Sequence, residues 1–146
     1  MNPSSVNDGM LLVHAATTLF MVGVIWFVQL VHYPLFHRVG EPGFAEYERQ
    51  HTRSTGFVLV IPMLVELVTA VALTWRLGGA LVWIGLVLLM GIWLSTWLWQ
   101  VPAHRRLEHG FDAATHRRLV KTNWVRTIAW SARGILALML LVVPRS

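Results

Sequence analysis

Four stretches of about 20 residues or more, almost free of charge, leave this chain few folds to choose from: about 10–36, 54–75, 80–101 and 122–143. About 20 apolar residues carry a helix across the hydrocarbon of a bilayer, where backbone N–H and C=O groups have to bond within their own segment. The expected fold is therefore all-α and integral to the membrane, an antiparallel bundle of four transmembrane helices forming one domain over residues 1–146. Hydrophobic residues make up 55% of the chain and charged residues 13%, about half the charged share of a soluble domain.

Spans two and three are joined only by Arg76-Leu77-Gly78-Gly79, a tight hairpin. Pro34 is expected to end span one. Loop one, residues 37–53, holds Arg38, Arg49 and Arg53; loop three, residues 102–121, holds Arg105, Arg106, Arg117, Arg118 and Lys121. The opposite side holds only Arg76 and Arg145. Positive charge collects on the cytoplasmic side, so the expected topology is a multi-pass protein of the cell membrane, in a bacterium the inner membrane. Both longer loops would be cytoplasmic and both termini outside. The net charge of +5 is then explained by the membrane, and no nucleic-acid partner is expected. Residues 1–9 carry no Lys or Arg, so the first stretch reads as a retained span. Cysteine is absent, which removes thiol nucleophiles and thiolate metal sites.

Charged side chains inside a span are costly and face a partner or a cavity. Glu66 and Arg133 stand at similar mid-bilayer depth, and the simplest account is an intramembrane ion pair, serving either as helix glue or as the wall of a pocket. Each span carries one polar stripe at helical spacing. In span one it is His14, Thr18, Met21, Ile25, Gln29 and His32; in span two His51, Thr55, Val58, Pro62, Glu66 and Thr69. Span three offers Thr96, Gln100 and His104, and span four Asn123, Arg126, Thr127, Trp130 and Arg133. Four such stripes facing inward make a lined cavity. Trp75, Trp99 and Trp124 fit an interfacial belt, whereas Trp26, Trp93, Trp97 and Trp130 lie deeper, as lipid-facing bulk or as pocket walls.

His32, His37, His51 and His104 fall at one end of the spans. Glu48-x-x-His51 places a carboxylate and an imidazole on one helix face, the pair used by carboxylate-bridged di-metal bundles. His104 and Glu108 could form a second pair. The candidate metal ligands are His32, Glu48, His51 and His104, for iron, copper, manganese or zinc. A b-type haem between two of the histidines is a variant. The plainer alternative pairs Glu48 with a loop arginine and leaves the histidines amphipathic at the interface. His14 is far from this cluster, and His109 and His116 are expected to be solvated.

Gln100-Val-Pro-Ala-His104-x-x-Leu107, followed by Asn123-Trp-Val-Arg126-Thr127 with Trp130 and Arg133, resembles the C-terminal half of the anthrone oxygenase-like membrane family. Those four-span proteins carry Asn-x-Pro-x-Asn after span three and Asn-x-x-Arg-Thr opening span four. Pro102, Asn123, Arg126 and Thr127 agree with that pattern, while Gln100 and His104 stand where the family has asparagines. The first half, with Gln29-Leu-Val-His32-Tyr33-Pro34, Tyr47-Glu48, His51, Pro62-Met63 and Glu66, is more similar to bacterial four-span membrane proteins. The resemblance implies a compact oxygenase-like fold with Asn123 and Arg126 at a site near the cytoplasmic face; His104 in place of asparagine would add a metal ligand.

The leading expectation is a small membrane oxidoreductase or oxygenase acting on an apolar or aromatic molecule taken from the bilayer. His32, Glu48, His51 and His104 would bind a metal or act as acid and base. His104, Arg126, Asn123 and Gln100 are the candidate catalytic residues, the last three hydrogen-bonding a substrate oxygen or the anion formed on it. The alternatives are a carrier or binding protein for a small lipid, quinone or ion, with Glu66–Arg133 as its coupling site, and an accessory subunit whose stripes only hold helices together. The sequence leaves open whether the chain is an enzyme and whether it forms a homo-oligomer.

Overall fold

Every apolar stretch becomes helix, and the helices outrun the stretches. The structure, a computed structural model, describes residues 3–143 and is all-helical over them apart from short turns. Arg145, counted above on the outer side, lies outside the described residues. Helix α1, Pro3–Phe27, continues through a wide π turn, Val28–His32, and a tighter 3-10 stretch, Tyr33–Arg38. Helix α2 is Glu41–Leu77, and α3, Ala80–Ser95, passes through a second π turn, Thr96–Gln100, into α4, Val101–Leu107. Helix α5 is Ala113–Val142. Four rods, Ser5–Arg38, Glu41–Leu77, Ala80–Leu107 and Ala113–Val142, are long and apolar enough to cross a membrane.

The two expected loops are mostly helix, which corrects their outline. Gly40, with φ of 81°, turns the chain sharply, and Pro42 sits in the first turn of α2, where a missing N–H costs nothing. Residues 41–53 are thus an extension of span two, and the 37-residue helix rises about 55 Å, well beyond the hydrocarbon of a bilayer. Loop three shrinks to residues 108–112, because α4 runs to Leu107 and Asp112 caps α5 by accepting from Ala114 N at 3.0 Å and Thr115 N at 3.3 Å. At the opposite end Gly78 and Gly79, both with positive φ, close the α2–α3 hairpin.

Pro34 does not end the first rod. It and Pro102 each follow a π turn, in which Tyr33 N–H reaches back to Val28 O and Val101 N–H to Thr96 O. A proline lacks the N–H for the α ladder and its ring collides with the carbonyl four residues back. Widening the preceding turn by one residue accommodates both faults, and π turns of this kind concentrate at functional sites.

The bundle buries polar side chains among its apolar core and exposes large apolar ones. Thr18, Gln29, Glu66, Asn123, Thr127 and Arg133 are each at most 2% exposed, whereas Phe57 is 79% and Trp75 85% exposed. Helix α1 packs against α2 and α5, and α3 against α5. Helices α1 and α5 meet closely at Gly134, where an added Cβ would lie 3.1 Å from Val22 Cγ2. The stripe of span two needs one correction. Val58 is 54% exposed, and Leu59 and Met63, one position on from Val58 and Pro62, line the interior instead.

Candidate functional site

Two polar assemblies lie inside the bundle, at different depths. The deeper one centres on Glu66. Its Oε1 accepts from Thr18 Oγ1 at 2.9 Å and from Arg133 Nε and Nη2 at 3.1 and 2.9 Å, and its Oε2 accepts from Trp130 Nε1 at 3.2 Å. Arg133 Nη1 also donates to Gly85 O. Glu66 and Arg133 thus form a fully buried ion pair that ties α1, α2, α3 and α5 together. Nearby, His14 Nδ1 lies 2.8 Å from Thr69 Oγ1.

The second assembly sits at the other end of α2, among the histidines. Glu48 is fully buried and lies 2.5 Å, Oε1 to Nδ1, from His104. Its partner is this histidine and not a loop arginine; Arg49 pairs with Glu46. A carboxylate can only accept, so His104 carries its proton on Nδ1 and presents Nε2 as an acceptor. The Tyr33 hydroxyl stands 2.8 Å from that Nε2 and donates to it. The three side chains form a chain, Glu48–His104–Tyr33, and the Arg126 guanidinium lies beside the tyrosine hydroxyl. Next to it, His32 Nε2 is 2.9 Å from His51 Nδ1, which Thr55 Oγ1 also approaches at 3.1 Å.

Tyr33 is set in place from three sides. The π turn before it and Pro34 after it fix its backbone, and His116 Nε2 donates to its carbonyl at 2.7 Å. The ring is buried with Phe36, Phe44, Leu107 and Leu119. His116 is therefore no solvated loop residue: the Asp112 cap starts α5 early and turns this imidazole inward, 8% exposed, to stack on Phe36. His109 is exposed, and so is His37, whose Nδ1 bonds locally to Pro34 O.

A cavity of about 490 Å³ borders the second assembly. Its body is apolar, with Met21, Ile25, Leu59, Met63, Trp93 and Trp97 in the wall, and its polar end is made by Tyr33, His51, His104, Gln100 and Arg126. Gly56, Val60 and Trp97, which line it, are also exposed on the outer face of the bundle. The cavity thus opens sideways between α2 and α3, the two helices that the glycine hairpin joins only at the far end.

Arg126 is 7% exposed, lies over the Trp130 ring at 5.3 Å, and forms no ion pair among the described residues. Its Nε–H and the Nε1–H of Trp93 are buried donors without an acceptor among those residues. A buried, unpartnered donor costs about 1–3 kcal/mol. Arg133, by contrast, has its carboxylate.

Of the expected catalytic set, His104, Gln100 and Arg126 reach the cavity and Asn123 does not. Asn123 Nδ2 donates to Gln29 Oε1 at 2.9 Å, locking α5 to α1. Gln100 is occupied on both atoms, accepting from Ser95 at 3.3 Å and donating to Thr122 at 3.2 Å. The expected metal ligands His32, Glu48, His51 and His104 gather in one patch, but bonded to one another in two pairs. Among the described residues no three His, Asp or Glu side chains converge as a ligand set. Glu108 bonds to Thr52 Oγ1 at 3.0 Å and not to His104.

Periodicity alone does not single out Tyr33: it stands four residues after Gln29 on the stripe of span one, and His32 stands three after it. Comparison with protein-family models, with curated proteins and with solved structures finds no match for the chain.

Proposed function

We propose that the protein is a small multi-pass membrane enzyme of the oxidoreductase or oxygenase type, which takes an apolar ring-containing molecule from the bilayer and removes a proton from it. The observation that carries this is Arg126, a buried cation with no ion-pair partner among the described residues, set beside a Glu48–His104–Tyr33 chain in the wall of a mostly apolar cavity. A lone buried charge is expensive, and an anion formed on a bound molecule compensates it. Removing a proton beside a carbonyl, or from a phenol, makes such an anion, and the resulting enolate or phenolate is the electron-rich species on which oxygenation or oxidation begins. The agreement of Pro102, Asn123, Arg126 and Thr127 with the anthrone oxygenase-like pattern points the same way.

The orientation follows from the arginines: with eight positive residues on one side and two on the other, loops one and three are cytoplasmic, and the histidine end lies at that face. The sideways opening suits a bilayer-soluble substrate. In this reading His104 works through Glu48 and Tyr33, which engage both its nitrogens. Near-stoichiometric iron, copper, manganese or zinc in the purified protein, lost in His51→Ala, would replace this account.

The test is deuterium exchange at the acidic C–H positions of 2-tetralone, followed by NMR with the protein in mild detergent in D2O. Catalysed exchange that falls about 100-fold or more in Glu48→Gln is the expected result; exchange no faster than in empty micelles overturns it. Saturable binding without exchange would favour the carrier or binding protein, a reading for which the lateral opening also speaks.

A further inference from the structure

We infer that Tyr33 is the catalytic residue that exchanges the proton with the bound molecule, and that His104 and Glu48 act through it as positioning and proton-holding residues. The inference rests on the proton-abstraction reading of the cavity and names the group that performs it.

The geometry around His104 leads there. Its Nδ1–H is held by Glu48 at 2.5 Å and its Nε2 by the Tyr33 hydroxyl at 2.8 Å. Both nitrogens are spent, so the imidazole has no free position with which to meet a substrate. Tyr33 lines the cavity with its hydroxyl bonded to His104 Nε2, and Arg126 lies beside the same hydroxyl. A phenol oxygen has two lone pairs besides its proton, so it can accept a proton from one side while giving its own to the other.

In the step, the substrate C–H bond breaks and its proton goes to the Tyr33 oxygen. The proton of Tyr33 passes to His104 Nε2, and the imidazolium so formed is balanced by the Glu48 carboxylate across Nδ1–H. The electron pair of the broken bond stays on the substrate as an enolate, whose oxygen faces the Arg126 cation. Nothing is oxidised or reduced, and return of a deuteron by the same route completes the exchange. A purely structural tyrosine would need neither the carboxylate-backed imidazole nor the unpaired guanidinium at its hydroxyl.

The chain makes this unusually easy to test, because Tyr33 and Tyr47 are its only tyrosines. In a Tyr47→Phe background, incorporated 3-fluorotyrosine or 3,5-difluorotyrosine is confined to position 33. Deuterium exchange into 2-tetralone at one fixed pH is compared for wild type, Tyr47→Phe, Tyr33→Phe and the fluorinated proteins. Tyr33→Phe is expected to lose about 100-fold or more in rate, Tyr47→Phe to keep it, and the fluorinated proteins to change rate in the order of phenol acidity at unchanged apparent affinity.

Exchange in Tyr33→Phe as fast as in wild type, or faster, would show that His104 meets the substrate itself and overturns the inference while leaving the acid–base site standing. Should Tyr33→Phe not fold, a rate indifferent to fluorination overturns it equally. A wild-type protein that catalyses no exchange overturns both the site and this assignment.

Discussion

At the scale of single residues, the two buried arginines show how differently one side chain can be used. Arg133 shares Glu66 with Thr18 and Trp130, so its charge and most of its donors are matched. Arg126 has an aromatic face, a tyrosine hydroxyl and an unused Nε–H. Removing one member of a buried pair strands the other charge, so Glu66→Met or Arg133→Met alone should cost about 3–5 kcal/mol. The double variant should recover most of that, since two methionines refill the space without charge. Unfolding in mixed detergent micelles measures all three, and a double variant no better than the singles would mean that the network is required as a unit. Glu66 and Arg133 could be paired from the sequence because both stood uncompensated at one depth. Glu48 and His104 could be gathered at one end of the bundle from the sequence but not paired, because several histidines and arginines stand at that depth and spacing does not choose among them.

At the scale of elements, prolines and caps decide where side chains point. The π turns before Pro34 and Pro102 lie at the same end of α1 and α3 and bring Tyr33, Gln100 and His104 to one cavity. Constant 100° steps put both His32 and Tyr33, three and four residues after Gln29, on the edges of one face, and only the folded bundle shows that Tyr33 is the one buried. The Asp112 cap likewise turns His116 inward. Hydrogen bonds from the Thr115 hydroxyl and then the Ala114 N–H hold the exposed Asp112 carboxyl below its usual range. A depressed carboxylate stabilises the folded state above its ordinary titration range, and that contribution is lost as pH falls through the lower folded value. Thermal unfolding from neutral pH down to about pH 3 should therefore show a loss at the acid end that is reduced in Asp112→Asn, which keeps the cap without the charge. An identical acid loss in that variant would place the titrating group elsewhere.

For the whole molecule, the exposed apolar coat and the buried polar interior agree with four spans, and the arginines with one orientation. The chain has no cysteine, so single replacements report topology cleanly. With the proposed orientation, in intact cells a membrane-impermeant maleimide should label Arg76→Cys, in the α2–α3 hairpin, and label His109→Cys only once the membrane is opened. The reverse pattern would turn the protein over and put the histidine end outside. Helix class, span number and the polarity of the interior were legible in the sequence because they depend on composition and on periods of three and four, which are local. Span ends were less so, since a helix can continue past the end of its apolar stretch, as α2 does. Which carboxylate holds which histidine, and where the bundle leaves a cavity, were decided by the tertiary structure alone. Those contacts join residues 48 to 104 and 33 to 104, and only the packing angle of whole helices brings such distant positions within hydrogen-bonding reach.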